Sequence, residues 1–365
     1  MAVGLPLKTT YANGDVFSAS DINDTNGTIN LIGYGAPVVA GKNAVINSAF
    51  DIWQRGTSIA VAASDPNEYT ADRWAIVTGA NVASTVSRQA TGDTTNLPNI
   101  QYCGRFQRNS GQTGTAVMYV SNAFETVNSI PFVGQQVTLS FYARRGANFS
   151  SASNILTSKL YFGTGTDQQS NTGYTGATAV INQNNTLTTT WQRFTATGTV
   201  GTTANELSIE FSFTPSGTAG ANDYFEITGV QLERGASATT FSRNTSTYQA
   251  ELAACQRYYY VHASGGDVGA IIGMGAMTGS NIVEILVSFP TSMRVIPTAI
   301  SATGSSYYRF DRNGASDDFN SITGAYLSIN GADCYNNTEI SGTSGQAGSV
   351  RCINASSLLA FNAEL

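Results

Sequence analysis

Charge is what this sequence has least of. Of its 365 residues, 12% are charged, roughly half the 25% or so usual in soluble domains. Its 18 Lys and Arg form no run, and the formal net charge is −6. A surface for nucleic-acid phosphates needs clustered basic side chains, so no nucleic-acid partner is expected. Histidine occurs once, as His262, and none of the four cysteines (Cys103, Cys255, Cys334, Cys352) forms a CxxC pair. The usual zinc ligand sets are therefore missing, and neither metal nor cofactor is expected. Cys334 and Cys352 lie near enough in sequence to pair, but four reduced, buried thiols are the preferred reading. No run of 18 apolar residues exists, so no membrane insertion is expected. The opening MAVGLPLKTTYANGD lacks the apolar core of a secretory signal.

What is present is β-type pattern. The chain is 41% hydrophobic with 37 glycines, long enough for about two domains with real cores. In QQVTLSFYARRG, Val137, Leu139, Phe141 and Ala143 alternate with Thr138, Ser140, Tyr142 and Arg144. In NELSIEFSF, Leu207, Ile209, Phe211 and Phe213 alternate with polar residues. Such alternation marks antiparallel sheets with one buried face, and many such strands separated by Gly/Asn/Thr turns predict a sandwich. No fixed-period repeat argues for a propeller or β-helix. NIVEILVSFP, SMRVIPTAIS, SSYYRFDRNG and LLAFNAEL repeat the pattern towards the C-terminus. The fold class expected is all-β: a jelly-roll β-sandwich, one linking amphipathic helix and a smaller C-terminal β-sandwich. The boundaries expected are 1–40 for an arm, 41–245 for the jelly roll, 246–261 for the helix and 262–365 for a β-rich tip.

The helix is read from Ser246, a candidate N-cap with Gln249 three residues on. Tyr248, Leu252, Cys255 and Tyr259 then form one narrow apolar stripe, suited to a three-fold bundle or, alternatively, to packing on the chain's own sandwich. In the arm, Ile22, Ile29 and Leu31 are spaced aliphatics on a segment too short to fold alone, which suggests attachment to something larger.

Arg55 and Asp72 are read as a salt bridge or backbone clamp pinning the first turn of the sandwich, with Trp53 and Trp74 in its core. A sugar-binding face needs aromatics at outward strand positions; Tyr142, Tyr161 and Trp191 are the candidates, with residues 168–176 as a rim loop. A second candidate surface combines Tyr307, Tyr308, Phe310, Tyr326 and Tyr335 with flexible Gly/Ser/Asn sequence. The bland alternative for each is ordinary cross-strand packing. Nothing directs a Ser or Cys towards His262. The densest acid pair, Asp317 and Asp318, would face opposite sides of a strand. No catalytic residue is assigned, and no enzyme is expected.

Several motifs then converge. KNAVINSAFDIWQRGTS with YTADRW, and GVQLERGASATTFSR, resemble the opening and closing segments of a carbohydrate-binding-module-like jelly roll recurrent in bacteriophage tail-fibre and virion structural proteins. ELAACQRYYY with FPTSMRVIPT resembles the C-terminal module that follows it, and LPLKTTYANGDVFSASDIN resembles the N-terminal arm. The resemblance implies a homotrimer in the virion, attached through its arm to other tail or capsid proteins, with the C-terminal module outermost. The function it implies is non-catalytic binding of a host cell-surface glycan or protein. A decoration or connector protein of the virion, or a glycan-depolymerising tailspike, are the alternatives. Calcium is conceivable in such a jelly roll, but no ligand set stands out.

Overall fold

The computed structural model describes residues 42–365 apart from Thr172, Asp267 and Val268; the attachment residues Ile22, Ile29 and Leu31 lie outside them. The larger unit is two six-stranded antiparallel sheets packed face to face. One runs β1 (Ser58–Val61), β4 (Ser84–Ala90), β5 (Tyr102–Arg108), β12 (Tyr224–Arg234), β7 (Gln136–Arg145), β10 (Gln192–Thr199). The other runs β2 (Glu68–Tyr69), β3 (Ala75–Val77), β6 (Met118–Ala123), β11 (Glu206–Phe213), β8 (Ile155–Thr164), β9 (Thr175–Thr186). From β5 onward the chain passes repeatedly between the two sheets, which makes this a jelly-roll sandwich. Its core holds Trp53 and Trp74 with Phe50, Phe106, Phe141, Phe211 and Phe225. The Phe50 and Trp74 rings stack 4.8 Å apart. A short helix, α1 (Thr126–Ser129), follows β6. In β12 the register shifts between Thr228 and Gln231. Gly229 sits there at φ +56°, where an added Cβ would stand 2.7 Å from Ile100, so this bulge requires glycine.

The second unit is smaller and also a sandwich. A three-stranded sheet, β13 (Tyr259–Ser264), β22 (Leu358–Asn362), β16 (Thr298–Ser301), covers a seven-stranded one. The latter runs β18 (Ala315–Phe319), β17 (Tyr308–Arg312), β21 (Ala347–Cys352), β14 (Ile271–Met277), β15 (Val283–Ser288), β20 (Gly331–Asn336), β19 (Thr323–Leu327). Leu359 and Phe361 pack against Val283, Ile285, Val287, Phe310 and Val350 between them. All four cysteines are buried and free. Only Thr298–Ser301 of SMRVIPTAIS is strand, beginning directly after Pro297.

The linking helix, α2 (Tyr248–Gln256), is shorter than the expected 246–261. Thr247, not Ser246, caps it, accepting a hydrogen bond from the Ala250 backbone N–H at 3.2 Å. After Arg257 the β-forming residues Tyr259–Val261 pair with β22, so the strand claims the last turn. Its inward face is Glu251 with Cys255, the one residue of the expected stripe that the helix buries. The Glu251 carboxylate accepts hydrogen bonds from the Asn47 backbone N–H (2.6 Å) and from the Thr245 hydroxyl (2.8 Å). Tyr248 is exposed and Leu252 half-buried. Cys255 and Tyr259 are covered by the chain itself, which removes them from a bundle between copies. The helix packs on its own sandwich.

Polar contacts fasten the two units. Glu364 bridges Arg73 and Arg55. Arg294 reaches Asp167 at 2.9 Å and donates to the carbonyls of Ala363 and Glu364. Arg257 grips Glu125 with two 2.9 Å bonds, and the Tyr258 hydroxyl donates to the same carboxylate. Of the expected salt bridge or backbone clamp, the clamp is what Asp72 forms, accepting from the Gln54 backbone N–H at 2.9 Å and from its side-chain amide, while Arg55 stacks 3.6 Å from the centre of the Tyr259 ring and binds Glu364.

Candidate functional site

The β11 sequence ELSIEFSF puts Leu207, Ile209, Phe211 and Phe213 into the core, and so turns Glu206, Ser208, Glu210 and Ser212 outward. In β8, Leu156 and Leu160 point inward, which leaves Lys159 and Tyr161 outside. In β6, Met118 and Val120 are core, and Tyr119 faces out. The register then assembles a site on the outer face of this sheet. Glu210 lies opposite Lys159, Ser208 opposite Tyr161, and Ser212 opposite Tyr119.

Of these, Tyr119, Lys159, Tyr161 and Glu210 line a groove of about 310 Å³ together with Val117, Ser170 and Asn171. Its floor is the Lys159–Glu210 ion pair, 2.7 Å between Nζ and Oε1. Tyr119 and Tyr161 stand diagonally on either side, and the Lys159 ammonium lies 5.6 Å from the centre of the Tyr161 ring. Ser170 donates to the Ser208 hydroxyl at 3.4 Å, and the Asn171 amide to the Pro66 carbonyl at 3.3 Å. Burial pushes the Tyr119 phenol above its ordinary value, and the nearby Glu210 carboxylate adds to this. Burial works against the Lys159 charge, but the bond to Glu210 outweighs it and raises the ammonium's pKa. The floor is therefore a closed, neutral pair at neutral pH, between two half-exposed phenol rings. Such a groove offers flat apolar faces for stacking and hydroxyl, amide and carboxylate groups for hydrogen bonds.

Of the aromatics expected to bind, only Tyr161 lies here, with Ser170 and Asn171 from the expected rim loop. The same loop also serves the junction between units, since the Gln169 amide donates to the Leu365 carbonyl at 3.3 Å. Tyr142 and Trp191 belong to the opposite sheet. There they pack with Leu97, Ile100, Cys103 and Phe241 into a small outer cluster. Trp191 is buried, donates to the Thr91 carbonyl at 3.0 Å and is covered by Arg144. Tyr308 and Phe310 are core residues of the second unit, not surface ones. The Tyr308 hydroxyl is within 2.7 Å of the Leu358 carbonyl. Tyr307 is half-buried beside Tyr308, Tyr335 lies on the outer face of β20, and the two do not converge.

His262 is engaged through Nε2 with the Ile272 carbonyl at 2.6 Å and through Nδ1 with the Tyr260 hydroxyl at 3.1 Å. Asp317 pairs with Arg312 and Asp318 with Arg309. No group of His, Cys, Asp and Glu that could hold a metal occurs among the described residues, and no described helix is long and apolar enough to cross a membrane.

The groove residues missed in sequence were Tyr119, Lys159, Glu210 and Val117. Strand parity alone marks the first three as outward, but which outward residues share a patch depends on the order β6–β11–β8. That order joins strands about 40 to 90 residues apart, and no local pattern states it.

No protein-family model matches the chain, and no curated protein matches it. Solved structures with some likeness include the enzymatically active domain of tailspike protein 4 of bacteriophage CBA120. It is 14% identical, covers 53% of this chain and 22% of its own, and has a TM-score of 0.33. A xylan-binding domain of carbohydrate-binding-module family 22 from Paenibacillus barcinonensis is 13% identical, covers 55% of this chain and 98% of its own, with a TM-score of 0.32. A family 61 module in complex with β-1,4-galactotriose is 13% identical, covering 53% and 99%, with a TM-score of 0.30. At these values the likenesses decide neither ligand nor role.

Proposed function

We propose that this chain is a non-catalytic glycan-binding protein of a virion appendage, working in several copies to hold a phage on its host's surface. The observation that carries the glycan reading is the groove on the outer sheet face. Two tyrosine rings flank a floor whose charges are already neutralised by each other, and hydroxyl and amide groups line its edges. Tyrosine faces match the apolar faces of sugar rings, and the polar edges match their hydroxyls. A carbohydrate of low charge fits better than an acidic one, because the Lys159 ammonium is occupied by Glu210. The virion role and the copies rest on the sequence resemblance, and weak sites in several copies gain strength through effective concentration.

The test is binding of the purified full chain to an oligosaccharide array and to host cells, alongside Tyr161→Ala and Tyr119→Ala. Each substitution removes a stacking face worth about 1 kcal/mol, so each is expected to weaken glycan binding at least about fivefold while leaving the thermal midpoint nearly unchanged. Wild-type binding in both variants would exclude the groove, and release of free sugar from a bound polymer would replace this reading with the depolymerase one.

A further inference from the structure

At one end of the jelly roll the inward face of β4 and β5 runs on past the core. Val86 on β4 and Phe106 on β5 lie opposite each other and are buried in it. By the two-residue period of a strand, Arg88 and then Tyr102 continue the same face. Gly104 lies opposite Arg88, and a Cβ added there would stand 2.7 Å from the Phe50 ring. The apolar core ends with that ring. Past it, the sandwich opens into a cavity of about 440 Å³ between these strands, Asp51 and the start of α2. None of its lining residues belongs to the groove on the other sheet.

The cavity's charges do not cancel. The Asp51 carboxylate is taken by Arg243, at 2.7 Å from Nε. Arg88 has no carboxylate within ion-pair distance among the described residues. Its guanidinium lies 4.5 Å from the centre of the Tyr102 ring and makes one long bond, 3.4 Å, to the Asp51 main-chain carbonyl. A guanidinium has five N–H donors in a fixed fork, so most of those on Arg88 are left over. Glu251 on α2 does not line the cavity and is engaged with Asn47 and Thr245. One positive charge therefore stands in the cavity without a lining carboxylate to balance it, in a chain whose net charge is −6. Tyr248, the first residue of α2, also lines the cavity, 56% exposed and outside every hydrophobic cluster. The Ser246 hydroxyl and the Gln101 amide at its edge have no hydrogen-bond partner among the described residues.

We infer that this end cavity binds a sugar acid, a pyranose residue that carries a carboxylate. The Arg88 fork donates two parallel hydrogen bonds to the carboxylate and supplies the opposite charge. The Tyr102 and Tyr248 rings offer flat faces to the sugar ring, and Ser246 and Gln101 meet its hydroxyls. A neutral sugar would leave the guanidinium without its counter-charge, and a bare inorganic anion would leave both rings unused. The groove is the opposite case, since its Lys159 is already paired with Glu210. The end cavity does not rest on the groove reading, and each can fail without the other.

The experiment is titration of the full chain with D-glucuronate, with its uncharged methyl ester and with inorganic sulfate, read by ligand-observed NMR. Wild type, Arg88→Gln, Tyr248→Ala and Tyr161→Ala are compared, with thermal midpoints to report folding. Wild type is expected to bind glucuronate at least about tenfold more tightly than the ester. Arg88→Gln is expected to lose that preference, and Tyr248→Ala to bind glucuronate about fivefold more weakly. Tyr161→Ala is expected to bind it as wild type does. Absence of glucuronate binding, no preference over the ester, or a preference kept by a folded Arg88→Gln overturns the inference. So does sulfate binding as tight as that of glucuronate, which would make the cavity a general anion site. Loss of glucuronate binding in Tyr161→Ala would move the ligand to the groove and overturn it as well. Should Arg88→Gln misfold, the exposed Tyr248 carries the test, and unchanged affinity in Tyr248→Ala overturns the inference. Neutral oligosaccharides are titrated into the same samples, and their failure to bind any of them strikes the groove reading alone.

Discussion

Asp72 is wholly buried, and its carboxylate is held by the backbone N–H and side-chain amide of Gln54. Burial dominates, with Arg55 and the Gln54 bonds opposing it, and the pKa is pushed up to about 6 from 3.8. The folded protein therefore binds this proton more tightly than the unfolded chain does. Below the unfolded value both states are protonated, and the burial costs nothing in charge. As pH rises from about 4 to 6 that advantage is lost, and above it the folded state carries a buried charge. The difference is on the order of 3 kcal/mol, from a shift of about two units. Asp72→Asn is expected to flatten the pH dependence of stability in this window, read as urea midpoints at pH 4.5 and 7. An unchanged pH slope in the variant would show that Asp72 titrates normally. The sequence marked Arg55 and Asp72 as a salt bridge or backbone clamp, and Asp72 is the clamp, on the Gln54 N–H, without Arg55 as its ion-pair partner. The partner Arg55 takes is Glu364, 309 residues away, and nothing in the local motif could name it.

The same contrast holds for whole elements. Strands such as β7 and β11 were legible because alternation is set by the backbone's two-residue period and needs no knowledge of neighbours. The helix was legible as a helix but misread in its facing. Tyr248, Leu252, Cys255 and Tyr259 look like a stripe, yet Tyr248 stays exposed and the residue that goes inward beside Cys255 is Glu251. It does so because the buried Asn47 N–H and the Thr245 hydroxyl need an acceptor. Two substitutions separate local from tertiary stabilisation of α2. Thr247→Ala removes a cap and is expected to cost about 1 kcal/mol. Glu251→Ala leaves the Asn47 N–H buried without a partner and is expected to cost more, roughly 2–3 kcal/mol. No loss in denaturant unfolding for Glu251→Ala beside the expected loss for Thr247→Ala would mean that the helix stands on its cap alone and that the Glu251 contact adds nothing.

At the scale of the molecule, the division into a jelly roll and a smaller sandwich followed from the spacing of strands and turns, whereas the way they are joined did not. The sequence suggested a helix as the link between them. The structure instead fastens them through charged side chains on both units. Arg73, itself buried, meets Glu364 beside the Ala123 carbonyl, and Arg294 and Arg257 add pairs with Asp167 and Glu125. A junction of this kind is cooperative only while every charge keeps its partner, because a stranded buried guanidinium costs roughly 3–5 kcal/mol. Glu364→Ala strands Arg73 and takes from Arg55 its ion pair. Calorimetry of wild type is expected to show one transition for both units, and Glu364→Ala is expected to split it, with the C-terminal sandwich melting first. A variant that still melts in one step at the wild-type temperature would mean that the Glu364 bridge is not what couples them. Fixed geometry matters for the proposed role, since grooves on several copies add their effects only if they are held at a set separation.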